Sequence, residues 1–526
     1  MSIKLFCYYI YRKKERYIMS DIGSGFPKPL AFNYLKRLQG NFSKNTVKII
    51  PDNQTVNPNG VIRFRVSGSG LYDFRSFAMY MTGTAKQDAT GANDYRIHFP
   101  RYASSLIQDI VITANNTTLF SCKEYNYLYN MIHDLEASDI SQYCKRNCAG
   151  DNYDPSIAFS ISSTTETDNT TNQTIASFPS MLSAAASDTN MPLCVNNWLF
   201  FNSLSVPILD LSSIGDVYIT ITFAPANVLW RGASTTGTVS TTLTNPTYTL
   251  SSIYATVDRI QFSDPLYYQM LSEKLLGDGL YIGYHDYYYS SFSSIKKKSG
   301  VSLNWTVNSQ SLDRVLVSFK HNLATNGTVY PLIINAANQN ATAADPTQTT
   351  YKTFPELISN YALFENDGAG TDAVPALDKL GDYFNNSLYF IRSGANLLTS
   401  KWSVNSIDID TYALPPIEVF NKYLKHDNFN NLDAGSGTIY AGCPSLYHFL
   451  KYFFVDSLDL TLQTGNDPAM WVSGLNGTGS GLNLAYNATF DSGADATVIP
   501  VAWCRSTKIL KVSAGRQLQI DPPVVY

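Results

Sequence analysis

One pattern of apolar alternation occurs twice in the same order, and no other feature of the 526 residues constrains the fold as much. Gly60 opens the strand-like run GVIRFRV, and Gly300, 240 positions later, opens GVSLNWTV. In the first run Ile62, Phe64 and Val66 alternate with Arg63 and Arg65. In the second, Val301, Leu303, Trp305 and Val307 alternate with Ser302, Asn304 and Thr306. Successive side chains of a strand point to opposite faces, so each run reads as a half-buried strand. Next comes an arginine and a second apolar run, Arg75 before SFAMYM and Arg314 before VLVSF. A strand followed by a helix closes the series: DIVITANNTTLFSCKEYNYLYNMIHDLE in one half, NSIDIDTYALPPIEVFNKYLKHD in the other. Repetition in order, without identity, implies two similar β domains in tandem.

Other segments fill in the same picture. Val217, Ile219, Ile221 and Phe223 alternate with Tyr218, Thr220 and Thr222, and Ile110, Ile112, Ile260 and Phe262 extend the first half. In the second half Ile407 and Ile409, then Leu458, Leu460 and Leu462, read as inward faces. Apolar residues around Ile499, Val501, Trp503, Ile509 and Ile520 close the chain. Pro500, lacking an N–H, assigns its strand to an edge or a bulge. Three helices stand out. One runs over 124–136 with Tyr125, Leu128, Tyr129, Ile132 and Leu135 on one face. A second spans Pro265 to Leu276, capped by Asp264, stopped by Gly277, and buried along Tyr267, Met270, Leu271 and Leu275. The third starts near Pro416, with Ile417, Phe420 and Leu424 inward.

The stretches 160–190, 234–249, 335–350 and 465–493 are rich in Ser, Thr, Asn and Gly, so they read as exposed loops that tolerate insertion. The length exceeds that of one ordinary domain, and 44% hydrophobic with 13% aromatic residues suits large β cores. These features predict an all-β chain with an N-terminal arm over 1–40, a first domain over 41–264, a connecting helix over 265–277 and a second domain over 278–526.

The order of these elements, with FPRYASSLIQDIVITANNTTLFSCKEYNYLYNMIHDL and WLFFNSLSVPILDLSSIGDVYITITFAP, resembles the double jelly-roll major capsid proteins. Within that lineage the pattern is most similar to the capsid proteins of polinton-like viruses and virophages. The resemblance covers roughly residue 42 to the C-terminus and rests on order rather than on an invariant motif. It implies two tandem eight-stranded jelly rolls with short helices and long loop insertions. It also implies a structural, non-enzymatic protein of a double-stranded DNA virus, forming a homotrimer whose six barrels make a pseudo-hexameric capsomer in an icosahedral shell. The implied partners are other copies, neighbouring capsomers, and penton and minor capsid proteins, with the chain located in the virion. An extracellular β-sandwich adhesin or carbohydrate-binding protein shares the composition, but would want the secretion signal that the order of charged and apolar residues at the start does not provide.

Chemistry-bearing clusters are sparse. A net charge of −4 gives no global attraction to nucleic acid. Seven irregularly spaced Cys read as reduced thiols. Cys144 and Cys148, near His133 and Asp134, lack the second pair a zinc site needs. Asp408 and Asp410, on the same face of a strand, could hold a divalent cation or form a glycosidase-like carboxylate pair, though alternating Asp on a wet strand is the ordinary reading. No nucleophile context and no phosphate-binding glycine loop occurs between a strand and a helix, so no cofactor and no small-molecule substrate is expected. Two basic runs remain. Lys296 to Lys298 read as a solvated loop. Arg12, Lys13, Lys14 and Arg16 are candidates for contact with packaged DNA or an inner partner, because phosphates attract such clusters.

Overall fold

The computed structural model describes residues 42–68, 70–87, 96–100, 102–136, 181–182, 191–231, 246–262, 265–277, 279–295, 300–321, 388–390, 392, 394, 397–426, 446, 449–450, 453–461, 474–478, 481–490 and 498–521. Strands of the first half are β1 (Phe42–Ile49), β2 (Val61–Val66), β3 (Leu71–Gln87), β4 (Arg96–His98), β5 (Ile107–Ala114), β6 (Thr117–Cys122), β7 (Met181–Leu182), β8 (Met191–Val195), β9 (Ile208–Asp210), β10 (Val217–Phe223), β11 (Trp230–Arg231) and β12 (Pro246–Phe262). The second half contributes β13 (Leu280–Ser291), β14 (Gly300–Val307), β15 (Leu312–His321), β16 (Leu397–Val404), β17 (Ile407–Asp408), β18 (Asp456–Asp459), β19 (Leu482–Phe490), β20 (Val498–Ser513) and β21 (Gln517–Asp521).

Sheet order repeats strand for strand. The first half pairs β1-β12-β3-β8 in one sheet and β2-β10-β5-β6 in the other; the second pairs β13-β20-β15-β18 and β14-β19-β16-β17. Counting the eight principal strands of each half in chain order gives 1-8-3-6 and 2-7-4-5 both times, with every pair antiparallel. That order is the eight-stranded jelly roll. Two short strands extend the larger sheets, β9 on β3 and β21 on β20, and β11-β4-β7 form a small third sheet.

Alternation produces these strands in the way the residues anticipate. Burial follows a strict period of two along β2, β10 and β14, so the apolar side chains of each face a partner sheet. In the first barrel, Trp198 donates from Nε1 to the Phe77 carbonyl at 3.0 Å and packs edge-on against the Phe77 ring. In the second, Trp305, Trp402 and Tyr486 pack in sequence, and Trp402 Nε1 donates to Asp456 Oδ1 at 3.1 Å. Each such fully buried ring contributes on the order of 1.5–3 kcal/mol through apolar area removed from water.

The hairpins β5–β6 and β16–β17 turn through Asn115-Asn116 and Asn405-Ser406. Both residues of each turn have positive φ, 43° and 63° in the first, 51° and 65° in the second. This is the two-residue turn whose twist matches the strands it joins. It also fixes the equivalence of the halves: IDID follows its turn and corresponds to TTLFSC, one strand later than DIVITA.

The helices fall at Tyr125–Glu136, Pro265–Leu276 and Pro416–His426, as the sequence predicts, and the first and third follow equivalent strands. Details differ. In the third helix Phe420 is buried as expected, but Ile417 is exposed and Val419 is buried, so the docked face is turned toward Val419. Leu271 and Leu275 are only half-buried. Ile407 and Ile409 face solvent, since β17 is two residues long and has no covering sheet.

Pro500 lies in β20, which is central between β13 and β15, not at an edge. Its carbonyl accepts from Phe292 N at 3.1 Å, just beyond the last β13 pair, Ser291 with Val501. The missing N–H faces that same side, so no ladder bond within β13 is lost. The expected loop over 465–493 contains β19, whose Leu482, Leu484, Tyr486, Ala488 and Phe490 are buried between exposed Asn and Thr. Likewise β12 begins at Pro246, inside the expected loop over 234–249. Most of 160–190 and all of 335–350 lie outside the described residues.

Candidate assembly surface

Strands of one half pair only within that half among the described residues, so contact between the barrels is made by side chains and loops. The first barrel offers β6 and the start of the helix Tyr125–Glu136, together with the short helix Leu199–Ser203. The second offers β13, β15 and β20. Tyr127 stacks on Trp503 at 5.6 Å between centroids, Phe120 packs edge-on to Tyr287, and Phe200 edge-on to Tyr284. Ser205 N donates to the Gly283 carbonyl, Gly283 N to Ser205 Oγ, and His285 N to Ser203 Oγ, so the outer edge of β13 is capped by the first barrel.

An ion pair sits inside this apolar junction. Lys320, on β15, donates from Nζ to Glu124 Oε2 at 2.9 Å and to the Tyr389 hydroxyl at 3.2 Å. The Lys320 side chain is 6% exposed and that of Glu124 21%. The ammonium also lies over the rings of Tyr389 and Tyr127, which present the negative faces of their π systems to it. Glu124 has a φ of 52°, an uncommon value for a non-glycine residue, and its N–H donates to Asp109 Oδ1 at 3.0 Å. The strained residue thus starts the helix and aims its carboxylate across the junction. Nearby, Lys508 donates to Asp286 Oδ2, and burial holds the Asp286 carboxyl above the usual carboxylate range despite that partner.

The sequence candidates fare unevenly. Arg12, Lys13, Lys14 and Arg16, Lys296 to Lys298, and Cys144 with Cys148 all lie outside the described residues. Asp408 and Asp410 do not form a carboxylate pair: Asp408 accepts from Lys401 at 2.6 Å, and Asp410 accepts from Trp402 N at 3.1 Å and from Lys422 at 3.3 Å. His133 is buried and hydrogen-bonds with the Tyr129 hydroxyl and Asn197. Among the described residues there is no group of three His, Cys, Asp or Glu able to hold a metal, and no helix is long and apolar enough to cross a membrane. Sequence reasoning missed Lys320 and Glu124. The only signal was a lysine at the end of the largely apolar run VLVSFK.

No family model matches the sequence, and no curated protein matches it. Solved structures do. The major capsid protein of Faustovirus is 10% identical, with a TM-score of 0.48 over 95% of this chain and 94% of that one. Protein VP54 of the virus PBCV-1, fitted into a reconstruction of the virophage Sputnik, is 13% identical, with a TM-score of 0.48 over 91% and 97%. The mavirus major capsid protein is 9% identical, with a TM-score of 0.44 over 96% and 92%. The chain's own strand order, 1-8-3-6 over 2-7-4-5 found twice, makes its fold a double jelly roll.

Proposed function

We propose that the chain is the major capsid protein of a double-stranded DNA virus and acts as a structural subunit, with its location in the virion. One observation carries the reading: two barrels of identical strand order are joined side by side through an apolar junction. Three copies of such a chain supply six similar barrels, and a six-fold outline fills a surface without gaps. Closed cyclic symmetry also keeps a head-to-tail contact from running on as a fibre. Under this reading the domains divide at 41–264 and 278–526, the helix over 265–277 joins them, and residues 1–40 form an arm. Partners are other copies first, then neighbouring capsomers and penton and minor capsid proteins. Arg12, Lys13, Lys14 and Arg16 would touch DNA or an inner protein, so deleting residues 1–18 should alter genome packaging.

Light scattering at micromolar concentration and neutral pH tests the central claim. The expected mass is three times the 58.3 kDa of one chain, with hexagonal outlines in negative-stain images. A stable monomer overturns it.

A further inference from the structure

The pocket at the end of the connecting helix Pro265–Leu276 belongs to neither barrel alone. Leu271, Leu275 and Leu276 form its apolar wall, Ser212 and Ser213 come from the first barrel, and Arg516 comes from the turn between β20 and β21, around a cavity of about 430 Å³. The helix end is pinned to the second barrel, because the Leu275 carbonyl accepts from Ala514 N at 3.1 Å. Leu276 is nevertheless 74% exposed, and Ile208, two residues before the pocket's Asp210, is 39% exposed. A leucine-walled cavity between two domains, with a few polar groups converging on it, has the make-up of a binding site.

Strand register places this pocket close to where the N-terminal arm joins the first barrel. Lys44 of β1 lies opposite Ile260 of β12, Ile260 opposite Leu71 of β3, and Leu71 opposite Asp210 of β9. Three strand spacings of about 4.8 Å therefore separate Lys44 from Asp210, about 14 Å in all. Phe42, where β1 begins, is two positions further along its strand, so it stands about 16 Å from the pocket. The helix gives the distance a second time: it starts three residues after Phe262, the partner of Phe42, and its 12 residues rise about 18 Å to the pocket. In the arm, Leu30 to Leu35 (LAFNYL) is an uncharged, largely apolar run between Lys28 and Lys36. Seven residue steps from Leu35 to Phe42 reach up to about 23 Å, enough to span the gap.

We propose that Leu30 to Leu35 of the chain's own N-terminal arm dock in this pocket and strap the connecting helix to both barrels. The apolar side chains of the run cover Leu276 and the leucine wall. The hydroxyls of Ser212, Ser213 and Ser513 and the Arg516 guanidinium supply hydrogen-bond partners for the arm's backbone, which burial would otherwise leave unpaired. Tethering selects this occupant: a short flexible linker holds the run at about millimolar effective concentration, so a second copy at micromolar concentration competes at a disadvantage of about a thousandfold. Arg12 to Arg16 lie beyond the docked run and stay available for their own contact. The strap goes beyond the reading of the chain as a capsid subunit and does not depend on it.

Limited digestion of the full chain with trypsin, timed by mass spectrometry, tests the strap, because cleavage tracks the undocked fraction when docking is fast. In the parent, the bonds after Arg12 to Arg16 should be cut at once, and those after Lys36 and Arg37, beside the docked run, at least tenfold more slowly. Phe32→Asp with Leu35→Asp in the arm, and separately Leu276→Asp in the pocket, should raise cleavage at Lys36 and Arg37 to the rate at Arg16. Both should keep the parent's far-ultraviolet circular dichroism, since Leu276 is 74% exposed and residues 32 and 35 precede β1. Equal rates at the two clusters in the parent overturn the docking. Protection that survives Leu276→Asp overturns the assignment of this pocket. Protection that disappears on dilution from micromolar to nanomolar chain overturns the intramolecular strap in favour of a second copy. Light scattering on the same samples keeps the two readings apart: a monomeric parent that still protects Lys36 and Arg37 supports the strap while refuting the trimer.

Discussion

Replacing Lys320 and Glu124 separately and together tests the account of the barrel junction. At 2.9 Å the pair's attraction is about 6 kcal/mol for an effective dielectric of about 20. Taking two charges out of water costs several kcal/mol per ion, which offsets most of that attraction. The pair is therefore close to neutral for stability, while either charge alone is not. Glu124→Gln leaves an ammonium that is 6% exposed without its carboxylate, and should destabilise by about 3–5 kcal/mol. Lys320→Met leaves a carboxylate that is 21% exposed and still accepts from the Tyr389 hydroxyl at 3.3 Å. Its cost should be smaller, about 2–3 kcal/mol after allowing for solvent screening. The double variant Lys320→Met with Glu124→Gln should return to within about 1 kcal/mol of the parent, because a methionine packs where the lysine stem did. Urea unfolding followed by tryptophan fluorescence reports the junction through Trp503, which stacks on Tyr127 beside the pair. Additive losses in the double variant would refute the reasoning, since they would mean the two charges contribute independently rather than as a pair.

At Gly83 in β3 an added Cβ would lie 2.7 Å from the Phe99 ring and 2.9 Å from Leu193 Cδ1, so Gly83→Ala should cost about 1–3 kcal/mol through overpacking, read as a lower urea midpoint. The fully buried Asp456, which accepts from Ser400 and Trp402, has its carboxyl raised above the usual range by burial. A carboxyl whose folded pKa exceeds its unfolded value adds stability below the unfolded pKa and loses it as pH rises through the folded one. Acidification should therefore relieve this site, and in Asp456→Asn, which cannot titrate, melting temperature should fall more between neutral pH and pH 4 than in the parent; equal slopes would contradict the assignment.

How much of this could be read before the chain was folded depends on how far each signal reaches. Alternation along GVIRFRV, VYITITF and GVSLNWTV is local, because a pleated strand with one wet face writes its own burial into every second residue. The order of those runs, repeated after 240 residues, was enough for two like β domains, and Pro265 with Gly277 was enough for a helix between them. LNLAYNATF escaped because its outward residues are Asn, Ala and Thr within a Gly- and Asn-rich stretch, so composition hid a strand whose inward residues are as apolar as any.

Only the tertiary structure decided which outer faces would be covered. Along β15, Val315, Val317 and Phe319 face their own core, yet Leu316, Ser318 and Lys320 are buried as well, because the first barrel lies on that side. Ile407 and Ile417 carry the same apolar character as Phe120 and Tyr125, but remain open where those are closed. Nothing within a strand distinguishes the two cases. Burial by a separate barrel depends on residues hundreds of positions away, and Lys320 finds Glu124 only once both jelly rolls have formed and met.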